Sequence, residues 1–465
     1  MSRILPDRNF KISVPVVVIG AGACGLIAAL AAKDSGAEVL VLEREPLPGG
    51  STALSSGFIP AAGTCWQRNK GIDDPAENFA RDVQAKAKGK APQDLVEMVC
   101  ATSGPTLEWL AAAHGQKFVL IDGFLYPGHS VLRMHAHPDK TGATLVANLA
   151  TALGTAGVDI VTSAHVTALF ADAGGKVTGV QISRPDSTVD TLGCEALVLA
   201  CNGYGGNSDM VARHIPDMAK AIYFGHKGNQ GDAILWGQAL GGVARCMRAY
   251  QGHGSVATPH GVLITWALIM EGGIQLNAEG RRFSNEHEGY SEQSVKVLAQ
   301  TNGVAWNVYD RRLHALGMEF ADYRGAEALG AIRRAETVGE LAGIIAAPVD
   351  VVRATLVRVA AHAAGVEPCP FGRDFSNAPG LATPPWFAVK VTGALFHTQG
   401  GVEIDTAARV LRSDGAPFPN LLAGGGAAVG VSGTTVEGYL SGNGLLSAVA
   451  LGRIAGQEAA RLVTN

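Results

Sequence analysis

An α/β fold, with a parallel sheet assembled from both chain ends and an α+β domain inserted between them, follows from three observations. Residues 14–19, VPVVVI, are a continuous apolar and mostly β-branched run, which suits a strand buried on both faces of a parallel sheet. GAGACG follows at once, then LIAALAAKDSG with helical Ala/Leu character, then AEVLVLE as a second strand, together a βαβ unit. From about 249 to 383 aromatic and charged residues become more frequent, and near 384 strands and Gly-rich turns return. The expected division is 1–248 with 384–465 for one domain and 249–383 for the insert.

The remaining elements are expected in this order. Residues 76–114 are helix-rich, and ATLVANLATALGT (143–155) is a helix. VDIVTSAHVTALFAD, KVTGVQIS and EALVLACNG read as strands, and GDAILWGQALGG as a helix closed by glycines. Within the insert, AEGRRFSNE reads as a turn and a short strand, and AAPVDVVRATLVRVAAHAAG as a helix. SGNGLLSAVALGRIAGQEAARLV is the C-terminal helix. A chain of 465 residues, 47% hydrophobic, can bury two cores, and its 60 glycines sit in short runs, as backbone devices do.

Composition excludes some functions. The net charge of −4, from 37 basic and 41 acidic residues, gives no electrostatic footprint for nucleic acid. MSRILPDRNFKISVP lacks the apolar stretch of a signal peptide, and no spanning run of about 18 apolar residues occurs, so a cytoplasmic protein without a membrane span is expected. Seven cysteines without C-x-x-C point to reduced thiols. His135 and His137 in RMHAHP resemble a metal pair but have no third ligand in view, so no metal is expected.

Gly20, Gly22 and Gly25 spell G-x-G-x-x-G between a strand and a helix, and the next strand ends in Glu43, 18 residues past the last glycine. The glycines allow a tight turn and close approach of a pyrophosphate to the helix N-terminus, beside Ala23 and Cys24, while Glu43 accepts bonds from a ribose diol. NAD and FAD share this fingerprint. REPLPGGSTALSSGFIPAAGT, directly after Glu43, favours FAD, because its small and hydroxyl residues can lay backbone N–H groups against a flavin. Arg44, Gly50, Ser51, Thr52, Ser55, Ser56 and Gly57 are the candidates there. A second Gly-rich strand-to-helix junction, NLLAGGGAAVGVSGTTVEGYLSGNGLLSAVALGRIAG, adds Gly425, Gly442, Asn443 and Leu445; its helix N-terminus would stabilise negative charge on a reduced flavin.

These segments, with ALVLACNGYGGN, GDAILWGQALGG, LNAEGRRFSNE and HTQGGVEID, resemble the flavoprotein family of fumarate reductase and succinate dehydrogenase, which also holds the ketosteroid dehydrogenases. The resemblance spans nearly the whole chain. It implies a Rossmann-like FAD-binding domain from both chain ends, a cap domain over the substrate, and chemistry on C–C and C=C bonds. It adds Val166, Asn202, Gly203 and Asp232 to the expected cofactor contacts. Members with covalent FAD carry a histidine before the Gly-rich loop; LPGGSTALSS has none, which implies noncovalent FAD.

The resemblance also locates a substrate site. The histidine of the family's HT-x-GG motif is His397, and the histidine early in the cap is His253. The two arginines with which fumarate reductases donate a proton and grip a carboxylate fall at Tyr290 and near Tyr439. A neutral phenol cannot replace the bidentate grip of arginine. Tyrosines at both places instead resemble the ketosteroid dehydrogenases, with N-E-x-x-x-Y matched by NEHEGY and a backbone N–H four residues past the second tyrosine, here Asn443.

The resemblance therefore implies desaturation of a cyclic ketone, cyclohexanone-like or a 3-ketosteroid, with an external electron acceptor. Tyr439 and the Asn443 N–H would stabilise an enolate, a single such donor being worth roughly 3 kcal/mol. Tyr290, whose charged sequence neighbours suggest a cleft-edge loop, is the candidate base, and Tyr126 in FLYPGHS its candidate partner; a packed loop aromatic is the alternative for Tyr126. His397 contacts flavin or substrate, or is a hydrogen-bonded structural histidine. The other direction, a fumarate- or urocanate-type ene reductase, would need a clamp from Arg324 or the Arg333/Arg334 pair.

Overall fold

Burial on both faces is what VPVVVI demands, and the computed structural model, which describes residues 3–123, 125–376, 381 and 383–464, places it at the centre of a nine-stranded sheet. The strand Ser13–Ile19 runs parallel to Val39–Leu42 on one side and to Val189–Leu199 on the other. Val16, Val17 and Val18 are fully buried. Asp159–Val161 extends the parallel set beyond Val39–Leu42, and Pro417–Ala423 adds a parallel strand from the far end of the chain against Leu197–Leu199. His165–Ala171 and Val177–Ser183 form an antiparallel pair that joins the first half of Val189–Leu199.

Two helices tie the chain ends together. Ala23–Asp34 packs along Asn443–Thr464, and small residues set the separation: a Cβ on Gly452 would lie 2.6 Å from Cys24 O, and one on Gly456 2.1 Å from Ala28 O. A larger residue at either place would force the helices apart, so the first unit requires both termini.

This unit comprises 1–216, 225–250 and 397–465; the second comprises 217–224 and 251–396. The chain returns to the first unit at His397, later than the composition shift near 384 suggests, because Trp386–Thr398 is the central strand of the second sheet. Segment 217–224 joins the second unit because Ile222–Tyr223 pairs in parallel with Ala394 and Leu395 of that strand.

In the second unit Trp386–Thr398 is flanked by Val304–Asp310 and Ile332–Ala335, both antiparallel to it, and Ile274–Leu276 pairs antiparallel with Val304–Asp310. Helices including Tyr290–Leu298 and Val349–Ala363 complete the unit, whose core holds Leu268, Ile274, Val308, Tyr309 and Val389. AEGRRFSNE contains the expected turn, but Arg281–Ser284 forms no strand. The reason is local: Arg282 turns back to grip Glu286 at 2.5 Å, which coils the segment. No helix among the described residues is long and apolar enough to cross a membrane. All seven cysteines are free thiols, and burial pushes Cys24, Cys100, Cys194 and Cys201 up to about 12.

Candidate active site

In the first unit the G-x-G-x-x-G turn has the geometry its composition foretells. Gly20 sits at φ +108°, closed to side chains, and a Cβ on Gly25 would lie 1.9 Å from Gly20 O. Gly22 caps the helix Ala23–Asp34 with no side-chain bond and no acid in the first turn, so its N-terminal field is open to an anion. Ala23 N–H donates to Thr52 Oγ1 at 3.1 Å, linking the turn to Gly50–Ala53. Glu43, 8% exposed, accepts from Ala21 N at 2.7 Å and Glu45 N at 2.9 Å.

The other expected cofactor residues of this unit gather by pairs. Arg44 and Asp232 meet at 2.8 Å although they are far apart in sequence. Ser51 Oγ accepts from Asn229 Nδ2 at 2.8 Å, and Asn229 carried no motif that would have marked it. Ser55 donates to Thr52 O at 2.7 Å and accepts from Gly57 N, whereas Ser56 is exposed. Asn202, at φ +65°, accepts from Gly203 N, and Val166 is buried in its strand. Gly425 lies against Cys24, where a Cβ would be 3.2 Å from Cys24 Cβ. Gly442 turns at φ +88° into Asn443, the first residue of the C-terminal helix, with Leu445 in the same first turn.

Three expected catalytic residues come together beside that helix. Tyr439, 5% exposed, lies with its Oη 3.4 Å from His397 Nε2 and its ring edge-on to the imidazole. Burial lowers His397 to about 4, so the ring is neutral at ordinary pH. Its ring is seated against the helix, where a Cβ on Gly444 would be 2.7 Å from Nε2. The Asn443 N–H, expected to point at a ketone oxygen, instead donates to Leu440 O at 3.0 Å, because the αL turn at Gly442 closes the chain on itself before the helix starts. The Tyr126 loop reaches the same segment: His129 Nε2–H donates to Ser441 O at 2.9 Å, and Tyr126 packs edge-on to Phe58. Arg133, buried between Asp74 and Asp82, anchors that loop.

A family model described as FAD binding domain matches residues 15–445. The chain belongs to the FAD binding domain family. It is 29% identical over 449 residues to a probable fumarate reductase of Shewanella frigidimarina, covering 96% of this chain and 74% of that protein. It is 27% identical to 4-oxocyclohexanecarboxylate 2-dehydrogenase of Sinomonas cyclohexanicum, covering 89% of this chain and 87% of the other. Among solved structures it resembles 3-ketosteroid-Δ4-(5α)-dehydrogenase from Rhodococcus jostii RHA1 with a TM-score of 0.78 and 26% identity, over 97% of this chain and 98% of that one.

The protein is thus a FAD-dependent oxidoreductase of a family whose members act on CH–CH bonds. The flavoprotein's own residues fit that cofactor. Asn443 Oδ1 and Ser447 Oγ, both buried and one helical turn apart, have no hydrogen-bond partner among the described residues. An uncapped helix N-terminus and a pair of inward polar atoms are what a pyrophosphate and the polar edge of an isoalloxazine satisfy.

In the second unit Tyr290 opens the helix Tyr290–Leu298, half-buried, and its surroundings correct the sequence expectation. It stacks on His253 at 4.9 Å and 19°; His253 stacks on Phe396 at 5.3 Å, and Phe396 on Phe224 at 5.0 Å. Trp266 stands edge-on to both His253 and Tyr290. A tyrosine set among charged residues in the sequence is thus an aromatic-packed helix residue in space. His253 is pushed down to about 3 by burial, and its Nδ1 has no partner among the described residues.

Glu286, whose place in NEHEGY drew attention to Tyr290, is structural. It is fully buried and pairs with Arg282 and with Arg373 at 3.2 Å. Burial works to raise its carboxyl, but the two guanidinium groups outweigh it and hold it below the usual range. The arginines a carboxylate clamp would need are not in such a position: Arg324, Arg333 and Arg334 are exposed, and Arg334 pairs with Glu336. Both ring nitrogens of His135 are bonded, to Thr64 Oγ1 and Arg133 O, and no group of three potential metal ligands occurs among the described residues.

Proposed function

We propose that this flavoprotein introduces an α,β double bond into a cyclic ketone, cyclohexanone-like or a 3-ketosteroid, and passes the electrons to an external acceptor. The observation that carries the reading is Tyr439: a buried phenol beside a neutral histidine, where the family's carboxylate reductases require a cation. FAD, held without a covalent link, supplies the acceptor for the β-hydride.

Tyr439 donates its phenol proton to the carbonyl oxygen and so acidifies the α-carbon. The Asn443 N–H adds a second donor only by leaving Leu440 O. Tyr290 is the proposed acceptor of the α-proton, and Tyr126 is the second candidate for moving it. Loss of that proton and of the β-hydride leaves the α,β-unsaturated ketone, so atoms and electrons balance. The neutral site has no charge to hold a second carboxylate, which is why a ketone is preferred over a dicarboxylate.

Similarity to a fumarate reductase supports the opposite direction, ene reduction of an unsaturated carboxylate, as the second reading. The exposed positions of Arg324, Arg333 and Arg334 weigh against it. Anaerobic addition of cyclohexanone, a 3-ketosteroid or fumarate separates the two. Bleaching of the oxidised flavin by a ketone, lost by about 100-fold in Tyr439→Phe, supports desaturation. Reoxidation of the reduced flavin by fumarate, with no response to any ketone or enone, overturns it.

A further inference from the structure

A continuous hydrogen-bond chain, all within the first unit, runs from the C-terminal helix to Tyr439. Asn443 Nδ2 donates to Ser432 Oγ at 2.9 Å, and Ser432 Oγ donates to Gln399 Oε1 at 2.7 Å. Gln399 Nε2 lies 3.2 Å from His397 Nδ1, and His397 Nε2 lies 3.4 Å from Tyr439 Oη. Asn443, Ser432 and Gln399 are at most 3% exposed, so the chain is shielded from bulk solvent. Gln399 and Ser432 carry no motif of their own: they sit at the variable place of HT-x-GG and inside a glycine-rich run.

The chain has a direction. A serine hydroxyl carries one proton, and Ser432 already receives the Asn443 amide hydrogen, so its own proton goes to Gln399 Oε1. That fixes the Gln399 amide with nitrogen toward His397, which makes Nδ1 the acceptor and leaves the ring proton on Nε2. Nε2–H then donates to Tyr439 Oη, and the phenol proton is turned away from the imidazole. Thr398 O, 3.4 Å from Nδ1, favours the other tautomer, but at a longer distance than Gln399. The Gln399 backbone is pinned on both sides, its N–H to Ala249 O and its carbonyl oxygen to Gly430 N, so the residue is fixed in place and the hydrogen bonds of its amide decide which end faces His397. At the other end Asn443 Oδ1 is left as a buried acceptor without a partner among the described residues.

We propose that Gln399 and Ser432 are positioning residues that set the polarity of this chain, so that Tyr439 meets a substrate carbonyl as a hydrogen-bond donor. The proposal rests on the ketone reading for the word carbonyl, but not for the polarity itself. Reversal of the chain would turn the Asn443 amide nitrogen inward and draw the phenol proton onto His397, so the donor presented beside the helix and the donor presented by Tyr439 are alternatives. One end of the chain thereby selects the state of the other.

The test uses FAD-loaded protein labelled with 15N-histidine, the His397 signals being assigned by their loss in His397→Asn. The expected result is a pyridine-like Nδ1 and a pyrrole-like Nε2. Gln399→Glu offers Nδ1 a carboxylate that can only accept, so the tautomer should invert and kcat with a ketone should fall about 100-fold at little changed KM. Ser432→Ala should lower kcat less, and Ser432→Thr, which keeps the hydroxyl, should restore it. A pyrrole-like Nδ1 in the unaltered protein, or a Gln399→Glu protein with the original tautomer, overturns the proposal. The expected tautomer and its inversion in a protein that no ketone reduces would uphold the polarity and defeat the substrate reading instead. If Gln399→Glu does not fold, Ser432→Ala decides by the same signals: an unchanged Nε2 signal together with unchanged kcat overturns the proposal.

Discussion

Gly444→Ala isolates the role of His397 from the stability of the fold. An added Cβ would stand 2.7 Å from His397 Nε2 and 2.8 Å from Cε1, so the ring must retreat by about 0.7 Å to reach ordinary contact. The ring holds Tyr439 at 3.4 Å and Gln399 at 3.2 Å, and a retreat of that size carries at least one of these past the roughly 3.5 Å at which a hydrogen bond ceases. Loss of one such bond costs about 1 kcal/mol, and loss of the donor orientation at Tyr439 up to about 3 kcal/mol. The expected fall in kcat is therefore between about fivefold and a hundredfold. Alanine is a better helix former than glycine by about 0.5–1 kcal/mol, which offsets the repacking, so Tm should move by a few degrees at most. Dye-linked turnover with a ketone, flavin content and thermal unfolding are measured on the same preparation. Unchanged kcat with normal flavin content would refute the reasoning that His397 acts through a fixed ring position.

Other outcomes follow from the same geometry. Tyr290→Phe keeps the stack on His253 while removing the phenol, so Tm should hold and ketone-dependent flavin reduction should slow by about 100-fold or more; stopped-flow bleaching measures it. Glu286→Gln leaves Arg282 and Arg373 without a buried counter-charge and should cost about 3–5 kcal/mol, read from denaturant unfolding of the whole protein. Acid should destabilise the fold well above the carboxylate range. His129, His135, His287 and His397 are held near 4 and His253 near 3, chiefly by burial, against 6.5 when unfolded. Between about 4 and 6.5 the unfolded chain therefore binds more protons, so Tm should be highest above 6.5 and fall steadily as pH drops through that window. A flat Tm across it would show that these rings are not buried as neutral groups.

The cofactor end of the molecule was legible in the sequence because its chemistry is local. A β-branched run, three glycines at fixed spacing and an acid at the end of the next strand determine a turn whose atoms lie within one βαβ unit, and the far-end glycines stand out as a second Gly-rich strand-to-helix junction. Gly452 and Gly456 were visible as part of a helix, but only packing explained them, since the contact they allow is with Cys24 and Ala28 at the other end of the chain. The second unit was less legible. The strand expected at Arg281–Ser284 is absent because an ion pair between Arg282 and a buried Glu286 overrides local propensity.

The residues expected at the substrate show the limit most clearly. Sequence placed Tyr439 and Asn443 in one motif and His397 in another; the tertiary structure put Tyr439 against His397 and turned the Asn443 N–H onto Leu440 O. It also gave Tyr290 aromatic neighbours from positions 253 and 266 that its own charged segment could not reveal. The physical reason is the same in each case. Backbone conformation and cofactor cradles depend on residues adjacent in the chain, whereas the direction of a hydrogen bond and the neighbours of a ring depend on which distant side chains share a buried space.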